Sequence, residues 1–293
     1  MNKLSIVIPA YNEEEGIVET LKQLTASFPN SEIIVVDDGS TDATTESVLN
    51  FNTVKLIKHE FNRGYGSAIK TGMHAATKDY VAWFDADNEH NAENLKNMVE
   101  ILEDQKLVAV LGQRDRSINK MRGFGKFIIR LLAWSLDVKT GIDLNCGLRV
   151  FRREIILKYL YLLPDKYSAS LTSTIIMIER KYPFTFHPIS INQRLGESKV
   201  ALSDGFEALI LVLRAITLFS PIRVFLRLSI LLLSVGLIYG TIKAIITGLG
   251  FSVLSAILIV AGLIVGALGL IADQISQMRL TSLDIEHRKE ERD

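Results

Sequence analysis

Two carboxylates stand one residue apart at the end of an apolar run in the first third of the chain. Asp85 and Asp87 follow Tyr80–Phe84, whose length and hydrophobicity predict a buried strand. Paired side-chain oxygens are the ligands that hard divalent cations prefer. A cation held there can neutralise phosphate oxygens. The pattern therefore predicts a cation site facing a phosphorylated ligand.

Three further polar segments follow apolar runs nearer the N-terminus. They are Pro9–Glu13, Asp37–Asp42 and Asn62–Gly66. A carboxylate such as Asp38 can accept hydrogen bonds from a base or a ribose, but the same segment also suits a turn in which Ser40 or Thr41 caps a helix. The glycines beside Arg63 suit the approach of a donor phosphate, and an ordinary turn explains them equally well.

The elements that position these residues alternate between strand and helix through residues 1–110. The predicted strands are Leu4–Ile8, Glu32–Val36, Thr53–Lys58, Tyr80–Phe84 and Val108–Leu111, and the predicted helices are Glu13–Ser27, Thr41–Asn50, Gly66–Thr77 and Ala92–Glu103. This alternation predicts βαβ units and an α/β fold with a mostly parallel sheet. Ligands bind beyond the carboxyl ends of such strands, which is where the polar segments fall.

The remainder of the chain changes character towards the C-terminus. The predicted elements there are a helix at Phe124–Leu136, a strand at Leu148–Phe151, a helix at Ser170–Arg180 and an amphipathic helix at Asp204–Phe219. Arginines flank the last of these, as in a segment lying on a lipid surface. We therefore divide the chain into a catalytic domain (1–203), an interfacial region (204–226), two transmembrane helices (227–275) and a charged tail (276–293).

Two apolar runs, Leu228–Ile246 and Phe251–Ala272, each approach the roughly 20 residues that cross a bilayer. Basic residues lie outside the pair, so the positive-inside rule puts both termini and the catalytic domain in the cytoplasm. We expect the membrane to be a prokaryotic plasma membrane. No signal peptide is predicted. Gly262, Gly266 and Gly269 suit helix packing against neighbours and are compatible with a homo-oligomer.

Charge and cysteine content argue against two classes of protein. The chain has 33 basic and 33 acidic residues, and this balance argues against nucleic acid as a partner. Its single cysteine, Cys146, excludes an intramolecular disulfide framework.

The order of the four polar segments at successive strand ends resembles the family 2 glycosyltransferases over residues 4–111. Arg194–Lys199, followed by an amphipathic helix and membrane spans, is similar to the polyprenyl-phosphate branch, which includes dolichol-phosphate mannose synthase and the bactoprenol glucosyltransferases. With Asp143–Arg153, the resemblance covers essentially the whole chain. It implies a GT-A fold and inverting transfer from a nucleotide sugar, such as UDP-glucose or GDP-mannose, to undecaprenyl or dolichyl phosphate.

The same resemblance implies a role for each matching residue. It assigns Asp38 to the donor base, Pro9, Tyr11 and Glu13 to the nucleoside pocket, Arg194 and Lys199 to the donor diphosphate, and Arg114 and Arg122 to the acceptor phosphate. Asp85 and Asp87 contact Mg²⁺ or Mn²⁺ and the sugar diphosphate. Glu89 stands where the family often has Gln, so it keeps an oxygen ligand but adds charge. Asp143 matches a recurrent acidic position, and we count it among the catalytic residues with Asp85, Asp87, Arg114 and Arg122, without assigning it a particular role.

Three alternatives stay open from the sequence. A processive polysaccharide synthase would carry Gln-x-x-Arg-Trp and more spans, and the Trp is absent after Gln193-Arg194. A non-catalytic, transferase-like membrane subunit would not need the acidic pair. Arg194 and Lys199 could also be interfacial cations that face lipid headgroups.

Overall fold

The computed structural model describes residues 2–114, 143, 146–166, 169–192, 221–248 and 250–290, with side chains as far as residue 278. These residues fall into two compact units. The first contains the described residues up to 192, and the second contains those from 221 onwards. Each unit is described by itself.

The first unit alternates strands and helices along its N-terminal half, as predicted. Its elements are β1 (Leu4–Ala10), α1 (Glu14–Ser27), β2 (Glu32–Asp37), α2 (Thr44–Leu49), β3 (Val54–Lys58), α3 (Tyr65–Ala75), β4 (Tyr80–Trp83), α4 (Ala92–Asp104), β5 (Ala109–Arg114), β6 (Arg149–Arg152), α5 (Arg153–Leu157), a 3₁₀ turn (Leu160–Leu162), α6 (Ala169–Glu179) and β7 (Phe184–Ile189).

The strands form one seven-stranded sheet in the order β3-β2-β1-β4-β6-β5-β7. β6 runs antiparallel to both of its neighbours, and the other pairings are parallel. Every residue of β1 is buried, as expected for a strand that helices cover on both faces. The mostly parallel α/β sheet predicted from the sequence is therefore confirmed.

β1 continues through Pro9, where the sequence suggested a break. The backbone carbonyl of Ala10 accepts a hydrogen bond from the Asp38 N–H, so the backbone polar groups of Ala10 face β2. Those of the preceding residue, Pro9, face the side of β4, where the pairing of β1 with β4 already ends at Val7. Pro9 therefore removes no ladder hydrogen bond, and the strand tolerates it. β7, an edge strand that contains Pro188, was not predicted.

The second unit is a hairpin of two long helices, α7 (Pro221–Thr247) and α8 (Val253–Glu290). Pro221–Thr247 and Val253–Met278 are long and apolar enough to cross a membrane. α7 is described from Pro221 onwards. Its first turns thus include residues 221–226, which we predicted as part of the interfacial region. Residues 204–220 and the predicted helix Phe124–Leu136 lie outside the described residues.

The hairpin glycines pack inside the hairpin. A methyl group added at Gly262 would lie 2.8 Å from Leu233 Cγ, and one at Gly269 would lie 2.5 Å from Phe225 Cβ. Ser229, whose Oγ donates to the Gly262 carbonyl at 2.7 Å, faces Gly266 in the same way. Small residues allow the two helices to approach closely. These glycines are used within one chain, so they do not support the predicted homo-oligomer.

Candidate active site

Two loops at the carboxyl edge of the sheet are joined by side-chain hydrogen bonds. The Asn12 N–H donates to Ser40 Oγ at 3.0 Å, and Asn12 Oδ1 accepts from the Thr41 N–H at 2.8 Å. Asp42, rather than Ser40 or Thr41, accepts the Thr44 N–H at the start of α2. The helix cap by Ser40 or Thr41, which the sequence left open as an alternative, is therefore wrong, because both residues are bonded to the neighbouring loop.

The carboxylate of Asp38 is buried and bonded inside the protein. Its Oδ1 lies 2.6 Å from His59 Nδ1 and accepts the Arg63 N–H at 3.0 Å, while Oδ2 accepts the Gly64 N–H at 2.7 Å. His59 in turn contacts Thr71 Oγ1 at 3.0 Å. Asp38 thus holds the 62–64 loop against the ends of β2 and β3. Both carboxylate oxygens of Asp38 therefore already accept hydrogen bonds. A donor base could bind Asp38 only by adding a further hydrogen bond to one of them.

The N-terminus of α3 is closed by another part of the chain. The Gly66 and Ser67 N–H groups donate to the carbonyls of Lys166 and Asp165, at 3.1 and 2.8 Å. A methyl group at Gly66 would overlap the Pro164 carbonyl oxygen. These contacts favour the interpretation of the glycines as an ordinary turn, because backbone carbonyls already accept the Gly66 and Ser67 N–H groups that a phosphate would need. Arg63 is exposed beside it.

Asp85 is held from two sides. The Tyr65 hydroxyl donates to Asp85 Oδ1 at 2.8 Å, and His90 Nε2 lies 3.2 Å from Oδ2. Burial raises the pKa of a carboxyl, but the hydrogen bonds from His90 and Tyr65 and the charge of Arg114 outweigh it and lower the pKa of Asp85. Burial and the charge of Asp85 raise the pKa of Tyr65, which keeps its hydroxyl a donor. Asp85 is thus an ionised carboxylate in one orientation.

Glycines bring backbone close to both acids. A methyl group at Gly147 would lie 2.6 Å from Asp85 Cγ, and one at Gly16 would lie 2.8 Å from the Asp87 Cα atom. Asp87 is buried, and its Oδ1 accepts the Glu89 N–H at 3.0 Å. The start of α1 and the segment before β6 thus enclose the turn that carries Asp85 and Asp87.

Arg114, at the end of β5, lies between two acids. Its Nε and Nη2 donate to Asp143 at 2.6 and 3.3 Å, and its Nη1 donates to Glu89 Oε1 at 3.3 Å. Burial opposes the charged guanidinium, but the hydrogen bond and charge of Asp143 outweigh it and raise the pKa of Arg114. The site therefore places a permanent cation beside its acidic residues.

A second arginine, which the sequence analysis did not predict as a site residue, lies buried near Arg114 and Asp143. Arg149 is fully buried, donates to the Cys146 carbonyl at 2.8 Å, and donates to Thr174 Oγ1 at 2.6 Å. Burial lowers its pKa to about 10, so the guanidinium remains charged at neutral pH. No periodicity signals this residue, because its side-chain partners, such as Thr174, come from a helix that follows it in the chain.

Burial of Cys146 gives a simple chemical prediction. Because burial raises the pKa of this thiol to about 12, its thiolate fraction at neutral pH is on the order of a thousandfold below that of an unperturbed cysteine. We expect the folded protein to resist a maleimide reagent for hours and to react promptly in SDS. Rapid labelling of the folded protein would contradict the described packing.

The acidic residues suit a divalent cation only in part. Among the described residues, no group of three or more His, Cys, Asp or Glu side chains could hold a metal ion. Glu89 contacts Arg114 instead of joining Asp85 and Asp87 in the three-ligand set we predicted. Mg²⁺ is usually bound by one or two carboxylates together with substrate phosphates and waters. Asp87 and Asp85 fit that arrangement, in which the ligand supplies the remaining oxygens.

The other predicted residues divide between described and undescribed parts of the chain. Pro9 is buried in β1, and Tyr11 and Glu13 lie on the loop after it. Arg122, Arg194 and Lys199 are outside the described residues. The Asn192 N–H, two positions before Arg194, donates to the Glu89 carbonyl at 2.9 Å.

Family models match the chain in both of its units. The Glycosyl transferase family 2 model matches residues 5–160, which is more than half of the chain. The chain belongs to glycosyl transferase family 2. A second model, the GtrB C-terminal hairpin, matches residues 220–278 of this family 2 protein. The family predicted from the order of its polar segments is therefore confirmed.

Curated relatives support the predicted branch of family 2. The chain is 34% identical over 165 residues to an undecaprenyl-phosphate 4-deoxy-4-formamido-L-arabinose transferase of Aeromonas hydrophila, covering 52% of this chain and 50% of the relative. It is 29% identical over 170 residues to a dodecaprenyl-phosphate galacturonate synthase of Rhizobium johnstonii, covering 53% and 49%. The match thus spans about half the length of each named transferase. An uncharacterised protein of Methanocaldococcus jannaschii is 29% identical over 200 residues, or 65% of this chain and 81% of that one.

Solved structures confirm the fold. Glucosyl-3-phosphoglycerate synthase from Mycobacterium tuberculosis, in complex with Mn²⁺, uridine diphosphate and phosphoglyceric acid, superposes with a TM-score of 0.60 at 20% identity, over 73% of this chain and 78% of that one. The same enzyme with Mg²⁺ and uridine diphosphate gives a TM-score of 0.59 at 19% identity, over 73% and 79%. This family 2 protein therefore has the predicted GT-A fold.

Proposed function

We propose that this protein transfers a sugar from a nucleotide-diphosphate sugar to polyprenyl phosphate, with inversion at the anomeric carbon. One observation carries the proposal: an acidic turn with an ionised Asp85 and a largely buried arginine cation, Arg114, share one site at the carboxyl edge of the sheet. Asp87 contacts Glu89, and Glu89 contacts Arg114. Such a site can accommodate a cation-bound diphosphate and an anionic acceptor side by side.

The acidic turn suits the donor. Asp87 and Asp85 would hold Mg²⁺ or Mn²⁺, which when bound offsets the charge that develops on the leaving diphosphate. Contacts from Tyr65, His90 and Gly147 fix Asp85 in advance, so little orientational freedom is lost when the donor binds. The 11–13 loop, Asp38, Arg63, Arg194 and Lys199 complete the proposed donor site.

Arg114 suits the acceptor. A phosphate monoester is already anionic at pH 7, so it needs placement more than activation by a base. Its oxygen would attack the anomeric carbon while the bond to the diphosphate breaks, and the nucleoside diphosphate would leave with that electron pair. Arg114 and Arg122 would hold the phosphate in line for this displacement, and Asp143 orients Arg114. A single displacement inverts the anomeric configuration.

The helical hairpin suits a lipid acceptor. Both helices are long enough to span a bilayer, and basic residues such as Arg223 and Arg227 lie at one end of the pair. By the positive-inside rule, both termini and the catalytic unit would face the cytoplasm. The hairpin would keep the enzyme in the membrane that contains its acceptor, and relatives named for undecaprenyl or dodecaprenyl phosphate support that choice.

A donor screen tests this function. The full chain in detergent would be mixed with undecaprenyl phosphate, Mg²⁺ and each of several labelled nucleotide sugars, with and without EDTA. We expect one donor to give a single lipid-linked sugar and EDTA to stop its formation. Products that grow in length would instead indicate a polysaccharide synthase. Binding of the donor without turnover would indicate a non-catalytic subunit, and either result would overturn the proposal.

A further inference from the structure

Two acids contact Arg114 in unequal ways. Asp143 engages two nitrogens of the guanidinium, Nε at 2.6 Å and Nη2 at 3.3 Å. Glu89 engages Nη1 alone, at 3.3 Å. The side chains of all three residues are less than one-fifth exposed. A two-bond contact fixes the plane of a guanidinium, whereas a single longer contact restrains it only weakly.

These contacts divide the guanidinium into two sides. Asp143 occupies the side formed by Nε and Nη2, so the Nη1 side is the one through which Arg114 can bind another anion. Glu89 lies on that side. A phosphate arriving there has to displace the Glu89 carboxylate or accept its repulsion at close range.

Glu89 also connects this cation to the acidic turn. Its N–H donates to Asp87 Oδ1, and its carbonyl accepts the Asn192 N–H. The backbone of Glu89 is thus fixed between two elements, and only its side chain can leave Arg114. Gln, which often stands at this position in the family, has nearly the same shape without the charge.

We propose that Asp143 and Glu89 act in opposite directions on acceptor binding: Asp143 is the positioning residue of Arg114, and Glu89 competes with the acceptor phosphate for its Nη1 side. This inference rests on the proposed function. It makes Glu89 a residue that weakens acceptor binding, although it lies within the site.

Two isosteric variants separate these parts. Binding of undecaprenyl phosphate in detergent micelles would be measured for Glu89→Gln and Asp143→Asn without donor and with EDTA, so that no cation contributes. We expect Glu89→Gln to bind about fivefold more tightly, since a competing carboxylate is neutralised. We expect Asp143→Asn to bind about tenfold or more weakly, since the guanidinium loses its charged partner. In turnover, the acceptor KM should shift in the same directions.

Glu93→Gln is the matched control, because Glu93 is an exposed acid on the first turn of α4. It makes the same charge change and should leave binding unaltered. Unchanged or weaker binding by Glu89→Gln would overturn the proposal. Tighter binding by Glu93→Gln would also overturn it, because the gain would then reflect net charge alone.

If Asp143→Asn fails to fold, Glu89→Gln still tests whether Glu89 competes with the acceptor phosphate for Arg114. The wild-type protein distinguishes this inference from the proposed function. If it neither binds undecaprenyl phosphate nor transfers a sugar to it, the proposed function fails. If it does both and Glu89→Gln does not tighten binding, only the competition fails.

Discussion

Asp87→Ala is expected to reduce sugar transfer by about a thousandfold, since removal of one group that stabilises charge in the transition state typically costs about a hundredfold to a thousandfold. Asp87 is the buried acid of the turn, and it offers oxygen ligands beside the fixed carboxylate of Asp85. Its replacement would leave the leaving diphosphate without its counter-charge. Membrane insertion should be unaffected, because both hairpin helices lie in the other unit.

The measurement is turnover of the donor identified in the screen, together with the membrane-bound fraction of the protein. Asp79→Ala is the matched control, because Asp79 is an exposed acid that precedes the opposite end of β4. Transfer by that variant should stay within about twofold of wild type, as is usual for surface changes away from special features. Near-normal turnover in Asp87→Ala would overturn the assignment of the cation to this turn.

Gly147→Ala is the second change with a large expected effect. A methyl group at this position would overlap the Asp85 carboxylate, with 2.6 Å to its Cγ atom. Either the carboxylate rotates away from Tyr65 and His90 or the 146–148 segment moves. A misplacement of about 1 Å in a catalytic site can cost about a hundredfold in rate, and we expect a loss of that order.

A double-mutant cycle with Asp85→Ala tests the cause. Gly147→Ala should lower the melting temperature of wild type, but it should lower that of Asp85→Ala much less, because the overlapping group is gone. Equal losses in both backgrounds would show that the methyl group acts through another neighbour. Transfer should be equally low in Asp85→Ala and in the double variant.

The sheet was largely predictable because its signals are local. Mostly apolar segments of four to six residues predicted β1 to β5, and the polar residues after them had to gather at one edge, since parallel strands share their direction. The acidic turn was found in this way, whereas Arg114 was assigned from the resemblance to the family. β7 was not predicted, because its residues are mostly half-buried and it contains Pro188, and both features are typical of a loop.

The contacts that orient the site were not predictable, because they join distant parts of the chain. Tyr65 meets Asp85 across 20 residues, and Arg114 meets Asp143 across 29. No periodicity signals a pairing of that kind. The glycines of the 64–66 loop were ambiguous for the same reason, since the carbonyls of residues 164–166 that require them lie about a hundred positions later.

The position of β6 has a consequence for how this protein can be made. β6 lies between β4 and β5, although it follows both in the chain. In a nascent or truncated chain that stops near residue 114, β4 therefore lacks its partner on one side and β5 lacks its partners on both sides. Such unpaired edges invite aggregation. Shortened versions for expression should extend at least through Ile189, the last residue of the sheet.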